Sequence, residues 1–238
     1  MFKVATLNIW CYFDWENRKE NLASLLRDQS PDFLALQEAQ TNHDFSHWPQ
    51  SDFVANACGL KYRVFAPTYK RDGQIDKKGG YTQETSFGLA FLSRYPIISS
   101  ETYFLKQHPD HDEACSVLFV TVERDGAEME FCNVHFGNSD LFSDLHLKEL
   151  MELCHRRGIT PIIMGDFNNF DLGAYKTTQL KGYALSTDVA TYISMPKDKG
   201  TLDYIAAPAN EYLIKDVVCP KDYVSDHRIV LAKLEAKK

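Results

Sequence analysis

The sequence predicts an α/β fold, of the α+β kind, in which two β-sheets pack face to face and helices cover their outer sides. Short apolar runs bounded by turn residues recur along the chain, whereas stretches with helical spacing are few. The 238 residues are 44% hydrophobic and 13% aromatic, which is enough for a sizeable core. No linker, low-complexity segment or solenoid-length repeat divides the chain, so residues 1–238 are predicted to form one domain.

The N-terminal part predicts a strand, a helix and a second strand. The helix over residues 17–29 carries Leu22, Leu25 and Leu26 at helical spacing, and Pro31 follows its end. The second strand ends in an acid, Glu38. The two strands cover residues 2–9 and 32–38.

The rest of the chain predicts a strand pair, a hairpin and one longer helix. The hairpin turns at Asp125 and Gly126, and the helix over residues 141–157 ends at Gly158. A short buried strand over residues 161–164 follows this helix. The other strands are predicted at residues 86–93, 97–104, 115–122, 129–135, 202–206, 212–218 and 228–234.

Polar side chains recur at the ends of these apolar strands, where a protein built only around its core has no use for them. Taken singly, each has a simpler explanation: Asn8 can cap a turn, Glu38 can be a solvated strand end, and His135 can be a hydrogen-bonded strand histidine. Their shared placement favours a common site. The residues concerned are Asn8, Glu38, His135, Asp166, Asn168, Asp203, Asp226 and His227.

The Gly-Asp-Phe-Asn stretch at residues 165–168 carries the strongest local signal. Alternation along an extended backbone would place Asp166 and Asn168 on the same side. A carboxylate beside a carboxamide can hold and orient a water molecule. Ordinary turn chemistry is the alternative explanation, because Gly and Asp are both common in turns.

The residue types at the strand ends favour a hard divalent cation. The oxygen ligands offered by Glu38, Asn8 and Asp226 suit Mg²⁺ or Mn²⁺ rather than zinc. The histidines do not have the H-x-x-x-H spacing of zinc proteases. Such a cation would clamp a phosphate oxygen while a nearby aspartate activates water for in-line attack on phosphorus.

Charge argues against a protein that binds nucleic acid through many phosphate contacts. The formal net charge is −7, and no part of the chain forms a strongly basic face. An enzyme that reaches phosphate through metal ions remains compatible with this charge. The predicted partner is therefore a phosphate-ester substrate, which includes nucleic acid as one possibility.

Cysteine usage and hydropathy predict a cytoplasmic protein with no membrane association. None of the six cysteines forms a C-x-x-C pair, and most lie in apolar runs as reduced core residues would. The N-terminus enters a strand with no signal-peptide pattern, although a chain whose leader has been removed would look the same. No apolar run approaches the roughly 20 residues that span a bilayer. A monomer is favoured.

An ordered set of short motifs resembles the series found in the endonuclease/exonuclease/phosphatase superfamily, which has the DNase-I-like fold. The set covers residues 2–235, and residues 88–94 resemble the central strand of that family. The resemblance implies a four-layered α/β/β/α sandwich of two mixed sheets flanked by helices, with its site at one rim. The motifs are T-L-N at 6–8, L-Q-E at 36–38, V-H at 134–135, G-D-F-N at 165–168, L-D-Y at 202–204 and S-D-H at 225–227.

The resemblance also implies roles for the polar residues. Glu38 would be the principal metal ligand with Asn8 beside it, and Asp226 would make a second metal contact or support the first. Asp166 would act as the base for the attacking water or would orient it, and Asn168 would hold that water or the phosphate.

In the same resemblance, His227 would bind the phosphate while Asp203 orients its ring. His135 resembles the histidine that protonates the leaving oxygen, and Glu84 is a weaker candidate for its partner. Where many relatives carry an arginine, this chain has Gly200 and Thr201 before Leu202, so a direct contact to the phosphate or to an aspartate from that position is expected to be missing.

Together these patterns predict a Mg²⁺- or Mn²⁺-dependent phosphodiesterase that hydrolyses nucleic acid or a nucleotide-like diester. The alternative is a phosphomonoesterase, or a diesterase acting on a small metabolite or lipid headgroup. The negative net charge of the chain favours this alternative. A non-catalytic binding module is disfavoured because every catalytic position holds a chemically competent residue.

Three polar loops are candidates for lining the site. Residues 41–50 contain His43, His47 and Trp48, and could stack on a base or sugar or form a surface loop anchored by the tryptophan. Residues 70–80 form either a basic flap for an anionic substrate or a solvated turn, and the turn is favoured. Residues 107–113 carry metal-ligand types, although solvated acids and histidines are the commoner explanation.

Overall fold

The computed structural model describes residues 1–41, 49–71, 85–110 and 114–237. Within these ranges the chain forms two six-stranded sheets and three α-helices. The strands are β1 (Phe2–Asn8), β2 (Phe33–Thr41), β3 (Tyr62–Arg71), β4 (Thr85–Ser93), β5 (Ile97–Phe104), β6 (Ser116–Arg124), β7 (Ala127–His135), β8 (Ile162–Asp166), β9 (Tyr183–Leu185), β10 (Asp203–Pro208), β11 (Tyr212–Val218) and β12 (Val230–Ala236).

Both sheets are mixed. The first has the strand order β11-β12-β1-β2-β4-β3, and the second has the order β5-β6-β7-β8-β10-β9. The pairs β1–β2 and β7–β8 are parallel, whereas the other neighbours run antiparallel. Each sheet therefore has one parallel pair near its centre, and the carboxyl ends of such a pair share one edge.

A wholly apolar cluster lies between the sheets. Phe131 of the second sheet contacts Phe33 and Phe91 of the first, with ring centroids 4.6 and 5.1 Å apart. All three rings are fully buried. Full burial of one such ring stabilises the fold by roughly 1.5–3 kcal/mol, so this layer joins the two sheets.

Helices cover the outer sides of both sheets. Helices α1 (Trp15–Gln29) and α2 (Gln50–Cys58) pack on the first sheet, where Leu22 and Val54 meet the buried Leu34. Helix α3 (Asp140–Arg157) packs on the second sheet through side chains such as Leu150. The predicted four-layered α/β/β/α sandwich is confirmed; the single-domain assignment of residues 1–238 stays a prediction.

The N-terminus of α3 is fixed next to the edge where β7 and β8 end. Its N-cap Ser139 accepts a hydrogen bond from the backbone N–H of Phe142 at 3.3 Å. At its other end, the left-handed Gly158 (φ 67°) closes the helix, as the sequence predicts.

Several elements differ from the prediction. The strands at 86–93 and 97–104 are predicted to pair, but the corresponding β4 and β5 belong to different sheets. Helix α2 and strands β3 and β9 were not foreseen, and β2 continues past Glu38 to Thr41. Strand β3 contains Pro67, which lowers strand propensity; the residue sits at an irregularity of the pairing on an edge strand, where proline is tolerated. Strand β9 has only three residues, too few for a periodic signal.

Among the described residues, no helix is both long and apolar enough to cross a membrane.

Candidate active site

The strand topology brings most of the polar strand ends to one rim of the sandwich. Asn8 and His135 are the last residues of β1 and β7, and Asp166 is the last residue of β8. His135 pairs directly with Asp166, which in turn pairs with Asp203 at the start of the antiparallel β10. Residues far apart in sequence therefore meet because their strands end at the same edge.

Gly165 permits the close approach of β7 and β8 just behind this rim. A Cβ atom at this position would lie 2.0 Å from the carbonyl oxygen of Val134, and its φ of 154° is unfavourable for other residues. The close approach of the two strands therefore explains why a glycine precedes Asp166, which turn chemistry alone does not.

A cavity of about 510 Å³ opens at this rim. All the predicted site residues line it except Asp203, which lies fully buried behind His227. The lining residues are Asn8, Trp10, Cys11, Phe13, Glu38, Gln40, Tyr69, Phe87, His135, Asn138, Ser139, Asp140, Asp166, Asn168, Phe170, Met195, Asp198, Leu202, Asp226 and His227.

Glu38 reaches the cavity because its backbone departs from regular strand geometry. Alternation would turn it toward the helices together with Leu34 and Leu36, which are buried in that layer. Instead the pairing shifts between Leu36 and Ala39, and Glu38 takes a left-handed φ of 54°. This bulge aims the carboxylate at the cavity, a use of local strain that is common at functional sites.

Asn8 links the carboxylates of both sheets. Its Nδ2 donates to Glu38 Oε1 at 3.0 Å and to Asp166 Oδ2 at 3.1 Å. Its Oδ1 accepts the backbone N–H of Trp10 at 3.0 Å. In this arrangement the amide of Asn8 holds Glu38 and Asp166 in place, and its predicted role as a metal ligand stays a prediction.

Asp166 is held by donors on several sides. Its Oδ1 accepts the backbone N–H of Asn168 at 2.9 Å, while its Oδ2 accepts from Asn8. The Nε2 atoms of His135 and His227 lie 3.7 and 3.8 Å from Oδ2. The carboxylate therefore sits between two imidazoles at the floor of the cavity.

The expected alternation of Asp166 and Asn168 is wrong, because the strand ends at Asp166 and Asn168 takes a left-handed φ of 50°. The Asn168 side chain donates from Nδ2 to the carbonyl oxygen of Phe136 at 2.8 Å. Both residues still line the cavity, but a turn stabilised by the Asp166 side chain places them there.

His227 and Asp203 form a buried pair. His227 Nδ1 lies 2.8 Å from Asp203 Oδ2, and both residues are at most 5% exposed. Burial alone would lower the pKa of His227, but the carboxylates of Asp203 and Asp166 outweigh it and raise that pKa to about 10. The imidazole is therefore protonated at neutral pH, with Nε2–H toward Asp166 and the cavity.

The segment before β12 carries Asp226 to the same floor. Ser225 Oγ lies 2.7 Å from the carbonyl oxygen of Asn8 and 3.1 Å from Asp226 Oδ1, so it ties this segment to the end of β1. Burial raises the pKa of Asp226; the nearby Glu38 carboxylate raises it further, and His227 opposes the rise. Glu38 and Asp226 are thus close enough to repel each other.

The cavity has an excess of negative groups. Five carboxylates line it, while none of its described lining residues is a lysine or an arginine; Lys197 and Lys199 on the adjoining turn lie outside the lining. The carboxylates belong to Glu38, Asp140, Asp166, Asp198 and Asp226.

These oxygens fit a hard divalent cation better than a zinc ion, because the oxygen donors outnumber the two histidines. Asp166, Asp203 and His227 also offer atoms within 4.8 Å of one another, as metal ligands would. Because His227 and Asp203 are already hydrogen-bonded to each other, the carboxylates of Glu38 and Asp226 are the better candidates.

An aromatic wall beside these groups was not foreseen. Trp10 and Phe13 contact each other in a tilted arrangement with ring centroids 4.1 Å apart, and Tyr69 stacks on Phe87 at 4.7 Å. Phe170 also lines the cavity. The dense run of aromatic residues at 10–15 could have signalled part of it, but Tyr69, Phe87 and Phe170 reach the cavity only through tertiary folding.

A buried arginine supports the loop that carries Trp10 and Phe13. Arg18 is fully buried and donates to four backbone carbonyls, those of Trp10, Cys11, Phe13 and Val224. It therefore ties the loop after β1 to the segment that carries Asp226. Sequence reasoning missed this residue because an arginine on a helix ordinarily faces solvent.

The predicted loops are only partly accessible to description. Residues 42–48, 72–84 and 111–113 lie outside the described residues, and with them Glu84, His43, His47, Trp48 and most of the basic loop. In the third loop, His108 Nδ1 accepts the backbone N–H of Asp110 at 3.2 Å, away from the cavity. The favoured explanation of this loop, solvated acids and histidines rather than a metal site, stays a prediction.

Comparison with known proteins agrees with this geometry. The model of the Endonuclease/Exonuclease/phosphatase family matches residues 5–227. Among solved structures, an endonuclease/exonuclease/phosphatase from Beutenbergia cavernae superposes with a TM-score of 0.77 at 16% identity, covering 99% of this chain and 71% of that one. The human Nocturnin catalytic domain with bound sulfate gives 0.75 at 17% identity, with coverage of 99% and 94%.

A mannosyl-6-phosphatase from Bacteroides thetaiotaomicron gives a TM-score of 0.66 at 16% identity and covers 99% of this chain and 100% of that one. At such identities these neighbours establish the fold alone. The family match, in contrast, spans nearly the whole chain and all the motifs at the rim. The chain therefore belongs to the Endonuclease/Exonuclease/phosphatase family, whose members hydrolyse phosphate esters.

Proposed function

We propose that the protein is a Mg²⁺- or Mn²⁺-dependent phosphodiesterase. The observation that carries this proposal is the charge of the cavity, where five carboxylates and no described lysine or arginine form the lining. An anionic ester would be repelled from such a floor unless a cation lies between them. The family of the chain makes a phosphate ester the expected substrate.

Glu38 and Asp226 would hold the cation, with the oxygen of Asn8 as a further candidate. When bound, the cation neutralises the phosphate and polarises its phosphorus–oxygen bonds. The repulsion between Glu38 and Asp226, which contributes to the raised pKa of Asp226, supports this assignment because a cation would relieve it.

Asp166 would accept the proton of the attacking water. Its two oxygens are oriented by Asn168 and Asn8, so the carboxylate does not have to reorganise as the water approaches. Asn168 lines the cavity beside it and would help to position that water or the phosphate.

The two histidines would act on the phosphate and the leaving group. His227 is protonated and held by Asp203, so its Nε2–H can donate to a phosphate oxygen as negative charge develops there. His135 lies on the other side of Asp166, with its side chain 21% exposed, and would donate a proton to the leaving oxygen. These roles reproduce the expectation drawn from the motifs.

A diester fits the charge of the site better than a monoester. A phosphomonoester carries about −1.5 to −2 charges near neutral pH, whereas a diester carries one. With five carboxylates and no described lysine or arginine in the lining, a ligand of smaller negative charge costs less to bring in. A phosphodiester is therefore the proposed substrate, and the motifs at the rim favour nucleic acid or a nucleotide-like diester as its class. The proposed form of the protein is a cytoplasmic monomer.

A substrate panel with controlled metal tests the proposal. Metal-free protein should be inactive on all substrates, and Mg²⁺ or Mn²⁺ should restore hydrolysis of bis-(p-nitrophenyl) phosphate, a thymidine dinucleotide, or single- or double-stranded DNA and RNA. Turnover of p-nitrophenyl phosphate faster than of every diester would favour the phosphomonoesterase instead. Diester hydrolysis that continues unchanged in EDTA would refute the metal-dependent assignment.

A further inference from the structure

Phe170 is an exposed aromatic residue at the mouth of the cavity, two residues after Asn168. Its side chain is 52% exposed, although the residue belongs to the lining. Other apolar side chains of this chain are equally exposed, but this ring lies at the cavity, where a bound ligand can cover its apolar surface.

Gly200 fixes the position of this ring. A Cβ atom at Gly200 would lie 2.4 Å from both Cδ1 and Cε1 of Phe170, so the edge of the ring occupies the space that any side chain would need. The backbone of Gly200 is held by reciprocal hydrogen bonds with Met195, at 3.0 and 3.2 Å. The edge of the ring is therefore seated on a fixed turn, while much of its surface stays open.

The side chains around Phe170 restrict which groups of a ligand can stack on its ring. Met195 and Leu202 line the cavity nearby in sequence, and Asp198 on the same turn adds an acceptor-only carboxylate. A sugar ring carries hydroxyl groups on most sides that need partners when buried, whereas a nucleobase needs few and stacks on aromatic faces. An exocyclic amino group or ring N–H could donate to Asp198.

We infer that Phe170, seated against Gly200, is a stacking platform for a nucleobase of the substrate. The inference rests on the proposed function and deepens it, because it makes a nucleotide the group attached to the reacting phosphate.

Binding without turnover tests the platform. Calorimetric titration would compare dAMP with 2-deoxyribose 5-phosphate in the presence of Ca²⁺, with chromatography verifying that dAMP stays intact. Wild-type protein should bind dAMP about 10-fold more tightly, the range expected for one stacked base. Phe170→Ala should remove this difference without weakening the sugar phosphate, whereas Phe170→Trp should retain it.

Gly200→Ala provides an independent variant. The backbone of Gly200 does not lie in the left-handed region, so alanine is allowed there, but its methyl group must displace the ring. We expect a several-fold loss of dAMP affinity and unchanged affinity for 2-deoxyribose 5-phosphate.

The inference would be overturned by equal affinities of the two ligands in wild-type protein, by no detectable binding of either, or by Phe170→Ala affecting both ligands equally or neither. Because the titration does not depend on hydrolysis, its outcome is separate from that of the substrate panel. If the protein hydrolyses diesters but its binding of dAMP does not depend on Phe170, only the platform is refuted. If it hydrolyses no diester but Phe170 is needed for its tighter binding of dAMP, only the catalytic proposal is refuted.

Discussion

The layer between the two sheets changes its chemistry from one end to the other. Along β7 the residues on the inner face run Phe131, Asn133 and His135, and β1 shows the same progression with Val4, Thr6 and Asn8. The first residue of each series packs in the apolar cluster, the second is a fully buried polar residue, and the third reaches the cavity. Along one face, each strand thus provides a core residue, then a buried polar residue, and then a residue of the site.

The buried polar residues in the middle explain how the site can be placed so firmly. Asn133 donates to the carbonyl oxygens of Leu36 and Ala90 at 2.9 Å each, and it accepts from Gln37 Nε2 at 2.7 Å. These bonds join the two sheets directly below the carboxylates. The comparison indicates that the apolar end stabilises the fold, whereas the polar rim carries the catalytic groups. The hydrogen-bond network between them fixes the distance between the two sheets.

The largest effect on catalysis is expected at the rim. Glu38→Gln keeps the shape of the side chain but removes a charge that would hold the cation, so hydrolysis should fall by about 10³-fold or more, or several kcal/mol of transition-state stabilisation. The free energy of unfolding should change little. Steady-state kinetics and denaturant unfolding would measure the two quantities.

Glu128→Gln, at an exposed position of β7, is the matched control and should leave both quantities unchanged. If Glu38→Gln retained full activity, the division between a chemical rim and a structural core would be wrong.

The opposite pattern is expected in the apolar cluster. Phe131→Ala removes a ring that joins the sheets and should lower the free energy of unfolding by about 3–5 kcal/mol. At temperatures where the variant is folded, kcat should stay within a few-fold of wild type. Chemical denaturation read by circular dichroism measures the loss, and a large fall in kcat of fully folded protein would contradict the comparison.

An intermediate effect is expected for the buried pair. Asp203→Asn should reduce kcat by about 10–100-fold, the range for residues that orient a functional histidine. It should also lower the pKa of His227 from about 10, because a carboxylate that raises it is removed while the burial that lowers it remains. Histidine NMR titration of metal-free protein checks the direction, and an unchanged pKa would exclude the proposed partnership.

The sign of the corresponding stability effect follows from the same shift. A histidine whose pKa is raised on folding stabilises the protein fully below its unfolded value near 6.5, and this contribution is lost as pH rises toward about 10. The stability of metal-free wild-type protein should therefore decline between these values more steeply than that of Asp203→Asn. Parallel pH profiles of the two proteins would contradict this.

Modest changes in both stability and catalysis are expected from the middle of the layer. Asn133→Ala leaves buried backbone oxygens without their donor, which costs roughly 1–3 kcal/mol of unfolding free energy for each unsatisfied group. We expect a loss of about 2 kcal/mol with less than a 10-fold change in kcat. Asn210→Ala, at an exposed turn, is the control. Loss of activity without loss of stability would assign Asn133 a direct catalytic part.

The sequence foretold those parts of the fold and site that have a local signal. The bounds of β5 and β11 are predicted to the residue, and the strand-end polar residues meet as expected because strand ends converge at a rim. The left-handed turns at Glu38 and Asn168 could not be read from alternation, since tertiary contacts impose them. The contact of Phe170 with Gly200 joins segments about 30 residues apart, so no periodic pattern in the sequence indicates it.

The most direct test of the central claim is a calorimetric titration of metal-free protein with Mn²⁺. The charge of the cavity predicts saturable binding by wild-type protein, weakened at least 10-fold in Glu38→Gln and unchanged in Glu128→Gln. If wild-type protein bound no Mn²⁺ at millimolar concentration, or if Glu38→Gln bound it equally well, the rim would not be the cation site that the account requires.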